Sequence, residues 1–107
     1  MKTAFIFPGQ GAQKVGMGKE FYDEFSVSKA FFDEASEAVG LDLKALCFQE
    51  NDKINITEYT QVCLLPTSVA ILKVLEEQGV KPDVSAGLSL GEYCSLVATG
   101  AMKDTDA

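Results

Sequence analysis

The stretch Gly87-Leu88-Ser89-Leu90-Gly91-Glu92 holds the residues of this 107-residue chain best suited to covalent chemistry. Its G-x-S-x-G pattern belongs to a sharp strand-to-helix turn, where flanking Cβ atoms would collide and the serine hydroxyl is lifted clear of the backbone. Ser89 is therefore the candidate nucleophile. A serine hydroxyl at its ordinary pKa is weak and needs an adjacent base, yet the chain contains no histidine. A helix opening just after Ser89 aims free amides and a positive dipole end at the site, an arrangement that stabilises an oxyanion. Glu92, three residues on, reads as the partner in a capping box rather than as a catalytic group. The same residues also fit a plain strand-to-helix turn in which Ser89 is only an N-cap.

A second glycine-rich stretch, Phe7-Pro8-Gly9-Gln10-Gly11-Ala12-Gln13, follows an apolar run at Thr3 to Phe7. It lacks the spacing of phosphate-binding loops, but it is placed to supply another backbone amide to an oxyanion. The elements that must position these two stretches alternate between strand and helix signals. Thr3 to Phe7 reads as a buried strand stopped by Pro8-Gly9. Apolar residues at helical spacing predict helices from Lys19 to Phe25 and from Val27 to Val39, with Gly40 as the stop. Leu41 to Glu50 suits a short helix, and Asn51-Asp52-Lys53 a polar turn. Tyr59 to Gln78 predicts a mostly buried helix ended by Gly79. Pro66 inside it predicts either a kink or a regular part that begins near Leu65. Asp83 to Leu88 is the second strand, and Leu90 to Thr99 a helix closed by Gly100. Asp104-Thr105-Asp106 looks like the N-terminus of a further helix, which makes the chain read as cut short.

Composition narrows the classes. Nine basic residues, all of them lysine, against sixteen acidic ones leave a formal charge of −7, which argues against nucleic acid or an anionic membrane as partner. No apolar run approaches the roughly 18 residues of a membrane span. Cys47, Cys63 and Cys94 are odd in number and lack C-x-x-C or histidine partners, so they read as reduced thiols in a cytoplasmic protein, with no metal site. Without arginine, the chain has no guanidinium fork for a substrate carboxylate.

Phe7-Pro8-Gly9-Gln10-Gly11, Thr60-Gln61 and Gly87-Leu88-Ser89-Leu90-Gly91-Glu92-Tyr93, taken in that order and spacing, resemble the malonyl-CoA:acyl carrier protein transacylase family. The resemblance runs along the whole chain. It implies an α/β fold, a parallel-sheet α/β-hydrolase-like acyltransferase domain. Residues 1–107 would be the N-terminal part of its large subdomain, with the ferredoxin-like subdomain and the C-terminal part downstream. It implies transfer of a malonyl group from malonyl-CoA to the phosphopantetheine thiol of acyl carrier protein, through an ester on Ser89, in fatty acid biosynthesis and without a cofactor. Gln10 and Leu90 would give the oxyanion amides, Gln61 would line the site, and Gly9, Gly11, Gly87 and Gly91 would be the motif glycines. The family's histidine base and malonate-binding arginine would lie beyond Ala107, and Leu88 stands where the family commonly carries histidine. The alternatives are a serine hydrolase or thioesterase on the same elbow, and an inactive binding module when the chain is alone. Two strands do not make an independent sheet, so exposed apolar surface is expected. The two strands should run parallel with their carboxyl ends together, bringing the amides of Gln10 and Leu90 towards Ser89.

Overall fold

The computed structural model describes residues 2–49 and 53–107, apart from the side chains of Glu58 and Thr105. β1 (Ala4–Phe7) is followed by α1 (Lys19–Glu24), α2 (Ser26–Val39), α3 (Leu43–Phe48) and the long α4 (Thr57–Glu77), then β2 (Val84–Gly87) and α5 (Gly91–Ala98). A short 3-10 turn spans Asp104–Asp106, where the sequence suggested the start of a helix. The Asn51-Asp52 part of the expected polar turn lies outside the described residues.

Among the described residues β1 and β2 form a parallel two-stranded sheet, with Ala4 opposite Val84 and Phe7 opposite Gly87. That register puts the carboxyl ends of both strands side by side. The fold is α/β as expected, with helices packed on a parallel sheet.

The core gathers around α4, which packs against α1, α2, α3 and α5. Phe32, Leu43, Cys47, Cys63, Val69, Ala70, Leu72 and Cys94 are buried there. Phe32 lies at its centre and is fully buried, with its ring centroid 5.3 Å from Phe48 and 5.8 Å from Tyr22. Such tilted and edge-on pairs add to plain burial because ring edges meet ring faces. Local signals set the helix ends. Gly40 takes the left-handed conformation after α2 (φ 71°), and the Asp42 carboxylate accepts from the Ala45 amide to cap α3.

Two expectations need correction. α4 runs through Pro66 from Thr57, so of the two expectations for Pro66 the regular part that begins near Leu65 falls away. Pro66 is itself buried, and packing on both flanks outweighs its missing N–H. The Thr60 hydroxyl also ties down the first turn, donating to the carbonyls of Ile54 and Ile56. Secondly, β1 is not buried on both faces. Phe5 and Phe7 turn towards the helices, whereas Ile6 is 80% exposed and Val84, on β2, 62%. The alternating strand period puts these two residues on the other face, which is bare of helix.

Candidate active site

The strand ends meet at a backbone crossing. The Leu88 amide donates to the Phe7 carbonyl at 3.1 Å, extending the ladder one step past β2. The chain then reverses. The Gly91 amide donates to the Leu88 carbonyl (2.9 Å) and the Glu92 amide to the Ser89 carbonyl (2.9 Å). Ser89, at the apex, has φ 51°. It is the non-glycine residue with a positive φ among the described residues, a conformation that costs about 1–2 kcal/mol and persists only where the surroundings dictate it.

Those surroundings are backbone at close quarters. A Cβ on Gly87 would overlap the carbonyl of Gly91. One on Gly91 would overlap the Phe7 carbonyl and sit 2.8 Å from the Pro8 oxygen. Gly9, from the other stretch, abuts the Leu88 carbonyl in the same way. The two glycine-rich stretches thus share one crossing, and Gln10 follows directly from the contact point.

The cap expectations fail at this site. Leu90, not Ser89, is the N-cap of α5, in right-handed conformation (φ −53°, ψ −37°) and with no side-chain cap bond. A capping serine has extended φ and spends its oxygen on a helix amide; the left-handed φ at Ser89 moves the cap one residue on. Glu92 therefore completes no capping box. The Ser89 side chain is exposed, and among the described residues neither the Gln10 nor the Leu90 amide donates to a protein acceptor. Both donors are left for an acceptor from outside.

Gln61 sits on α4 one turn after Thr57, and its side chain shares a groove of about 580 Å³ with Leu90 and Tyr93. Ser89 and Gln10 do not line that groove, and Glu34, Asp104 and Asp106 do. Asp104 is ion-paired with Lys73 at 2.8 Å, and Glu34 and Asp106 would repel a malonyl carboxylate, so the groove does not suit that group. The Cys94 thiol is buried at 1% exposure, and burial pushes its pKa up, away from the thiolate a nucleophile requires. Cys47 is fully buried; a hydrogen bond with Cys63 and burial both push its pKa up. Among the described residues no cluster of three His, Cys, Asp or Glu side chains could hold a metal ion, and no helix is long and apolar enough to cross a membrane.

How the Gln10 loop is held is not legible in the sequence. Gln10 Nε2 donates to Thr57 Oγ1 (2.8 Å), Gln13 Oε1 accepts from the Gly11 amide (2.7 Å), and Gln13 Nε2 donates to Asn55 Oδ1 (2.9 Å). These partners lie 42 and 47 residues apart in sequence, and no local pattern announces them.

Residues 4–107 match the acyl transferase domain. The chain belongs to the acyl transferase domain family. It is 47% identical over 107 residues to malonyl CoA-acyl carrier protein transacylase of Bacillus subtilis, covering 99% of this chain and 34% of that protein. Among solved structures, that of the transacylase from Streptococcus pneumoniae aligns with a TM-score of 0.93 at 54% identity, over 98% of this chain and 34% of the other. A malonyl-transacylase solved in complex with a type II polyketide synthase acyl carrier protein aligns at 0.91 and 42% identity, over 99% and 35%. The chain thus spans about a third of the length of the acyl transferases it matches.

Proposed function

We propose that the protein carrying this chain transfers a malonyl group from malonyl-CoA to the phosphopantetheine thiol of an acyl carrier protein, through a malonyl ester on Ser89. The observation that carries the reading is the strained, uncapped Ser89 at a glycine-lined turn, in a chain belonging to the acyl transferase domain family. The Ser89 oxygen attacks the thioester carbonyl, the hydroxyl proton passes to a base, and the coenzyme A sulfur leaves with the bonding electrons and is protonated. The phosphopantetheine thiol then attacks the ester by the reverse sequence. The amides of Gln10 and Leu90 receive the oxyanion in both steps, where preorganised donors contribute most.

With no histidine and no arginine in the sequence, an imidazole base and a guanidinium partner for the malonyl carboxylate have to come from outside these residues. We place the chain as the N-terminal part of the large subdomain of a cytoplasmic enzyme of fatty acid synthesis that needs no cofactor. Intact-mass analysis tests the reading. The full-length protein mixed with malonyl-CoA should gain one malonyl group and lose it on adding acyl carrier protein. Free malonate in place of malonyl carrier protein would contradict it.

A further inference from the structure

We propose that Gln13, Asn55 and Thr57 are positioning residues, which hold the Gln10 amide against Ser89 by strapping the first glycine-rich loop to the start of α4. The proposal rests on the acyl-transfer reading of Ser89 and adds to it the device that fixes one of the two donors.

The loop has little side-chain packing to hold it. Gln10 and Gly11 are exposed, and a Cβ on Gly11 would find nothing within 4 Å, so side-chain packing does not set its path. Gly9 fixes one end against the Leu88 carbonyl. The other end is held by the Ala12 amide, which donates to the Gly9 carbonyl at 3.3 Å across the turn, and by three side-chain hydrogen bonds. Gln13 turns back to accept from the Gly11 amide and reaches forward to Asn55 with the same amide group, while the Gln10 side chain reaches Thr57, the first residue of α4. Peptide units are planar. The Gln10 N–H lies in the Gly9–Gln10 unit, so its direction is set between the Gly9 contact on one side and the held Gln10 side chain and Gly11 amide on the other. These bonds are exposed, where net contributions to stability are small. Misplacing an oxyanion donor by about 1 Å, by contrast, can cost about 100-fold in rate.

The test is the rate at which a fluorophosphonate labels Ser89 in the full-length protein, since the phosphonyl oxygen uses the same donors whatever the natural acyl group. Malonyl transfer is measured in parallel. Gln13→Leu and Asn55→Leu should each slow labelling at least about tenfold, lowering kcat while the KM for malonyl-CoA stays within about twofold. Asn55→Asp, which keeps the acceptor for Gln13, should label at close to the wild-type rate. The double variant Gln13→Leu/Asn55→Leu should be no slower than the worse single one, because both break one strap. Wild-type labelling rates in both leucine variants overturn the proposal. So does unfolding of those variants, which would make the bonds structural. A wild-type protein that takes the phosphonate but no malonyl group sinks malonyl transfer and leaves Ser89 as the nucleophile on which this proposal rests; a wild-type Ser89 that is not labelled sinks both.

Discussion

The turn at Ser89 and the helical layer around α4 are held by different forces. Around α4, Phe32, Leu72, Val69 and Leu43 are buried to 2% exposure or less, and the ordering force is removal of apolar surface from water. At the turn there is little side chain to bury. Ser89 and Leu88 are exposed, and the geometry is fixed by carbonyls and amides in contact across positions where any Cβ would collide. Damage to the helical layer should therefore lower stability and carry activity down only with the folded fraction. Damage to the turn should remove activity from a protein that remains folded.

The sharpest way to break this comparison is Ser89→Gly. It should lower malonyl transfer by more than about 10⁴-fold, and because glycine accepts φ 51° without strain the variant should melt at or above the wild-type temperature. A melting point several degrees lower would mean that the Ser89 side chain supports the fold. Phe32→Ala probes the other region and should cost about 3–5 kcal/mol in a denaturant titration, with the malonylation rate per folded molecule unchanged. Gly91→Ala tests where the regions touch. Its methyl group meets backbone that cannot step aside, so a loss of about 3 kcal/mol should accompany loss of labelling at Ser89. Glu92→Gln and Glu92→Ala should each lower stability by no more than about 1 kcal/mol, the loss of a negative charge at the N-terminus of α5, and by the same amount, since no cap bond is there to lose; an extra drop in the alanine variant would restore the capping box, which glutamine can also complete.

The elements of both regions were legible in the sequence to different depths. Helical periodicity in Phe31, Phe32, Ala35 and Ala38 and the stop at Gly40 give α2 within a residue, because burial of one face is a local pattern. The turn could be named from its glycine spacing, and the parallel run of β1 and β2 followed from the helical crossover between them. The cap could not be placed. Nothing local shows that Ser89 adopts left-handed φ, which depends on the crossing with Phe7 and Pro8 about 80 residues away. Pro66 misplaces a start near Leu65 for a similar reason, since the helix continues through it from Thr57 and it is buried there. The exposed face with Ile6 and Val84 was expected from the count of strands, though the apolar run of β1 alone reads as buried on both sides.

On this reading the loop after β1 and the turn after β2 form one site on Ser89. A crystal structure of the full-length protein with a phosphonate bound covalently to Ser89 tests it most directly. The phosphonyl oxygen should lie within about 3 Å of the backbone nitrogens of both Gln10 and Leu90. A phosphonyl oxygen that faces solvent, or that meets the Leu90 amide with Gln10 turned away, would contradict it.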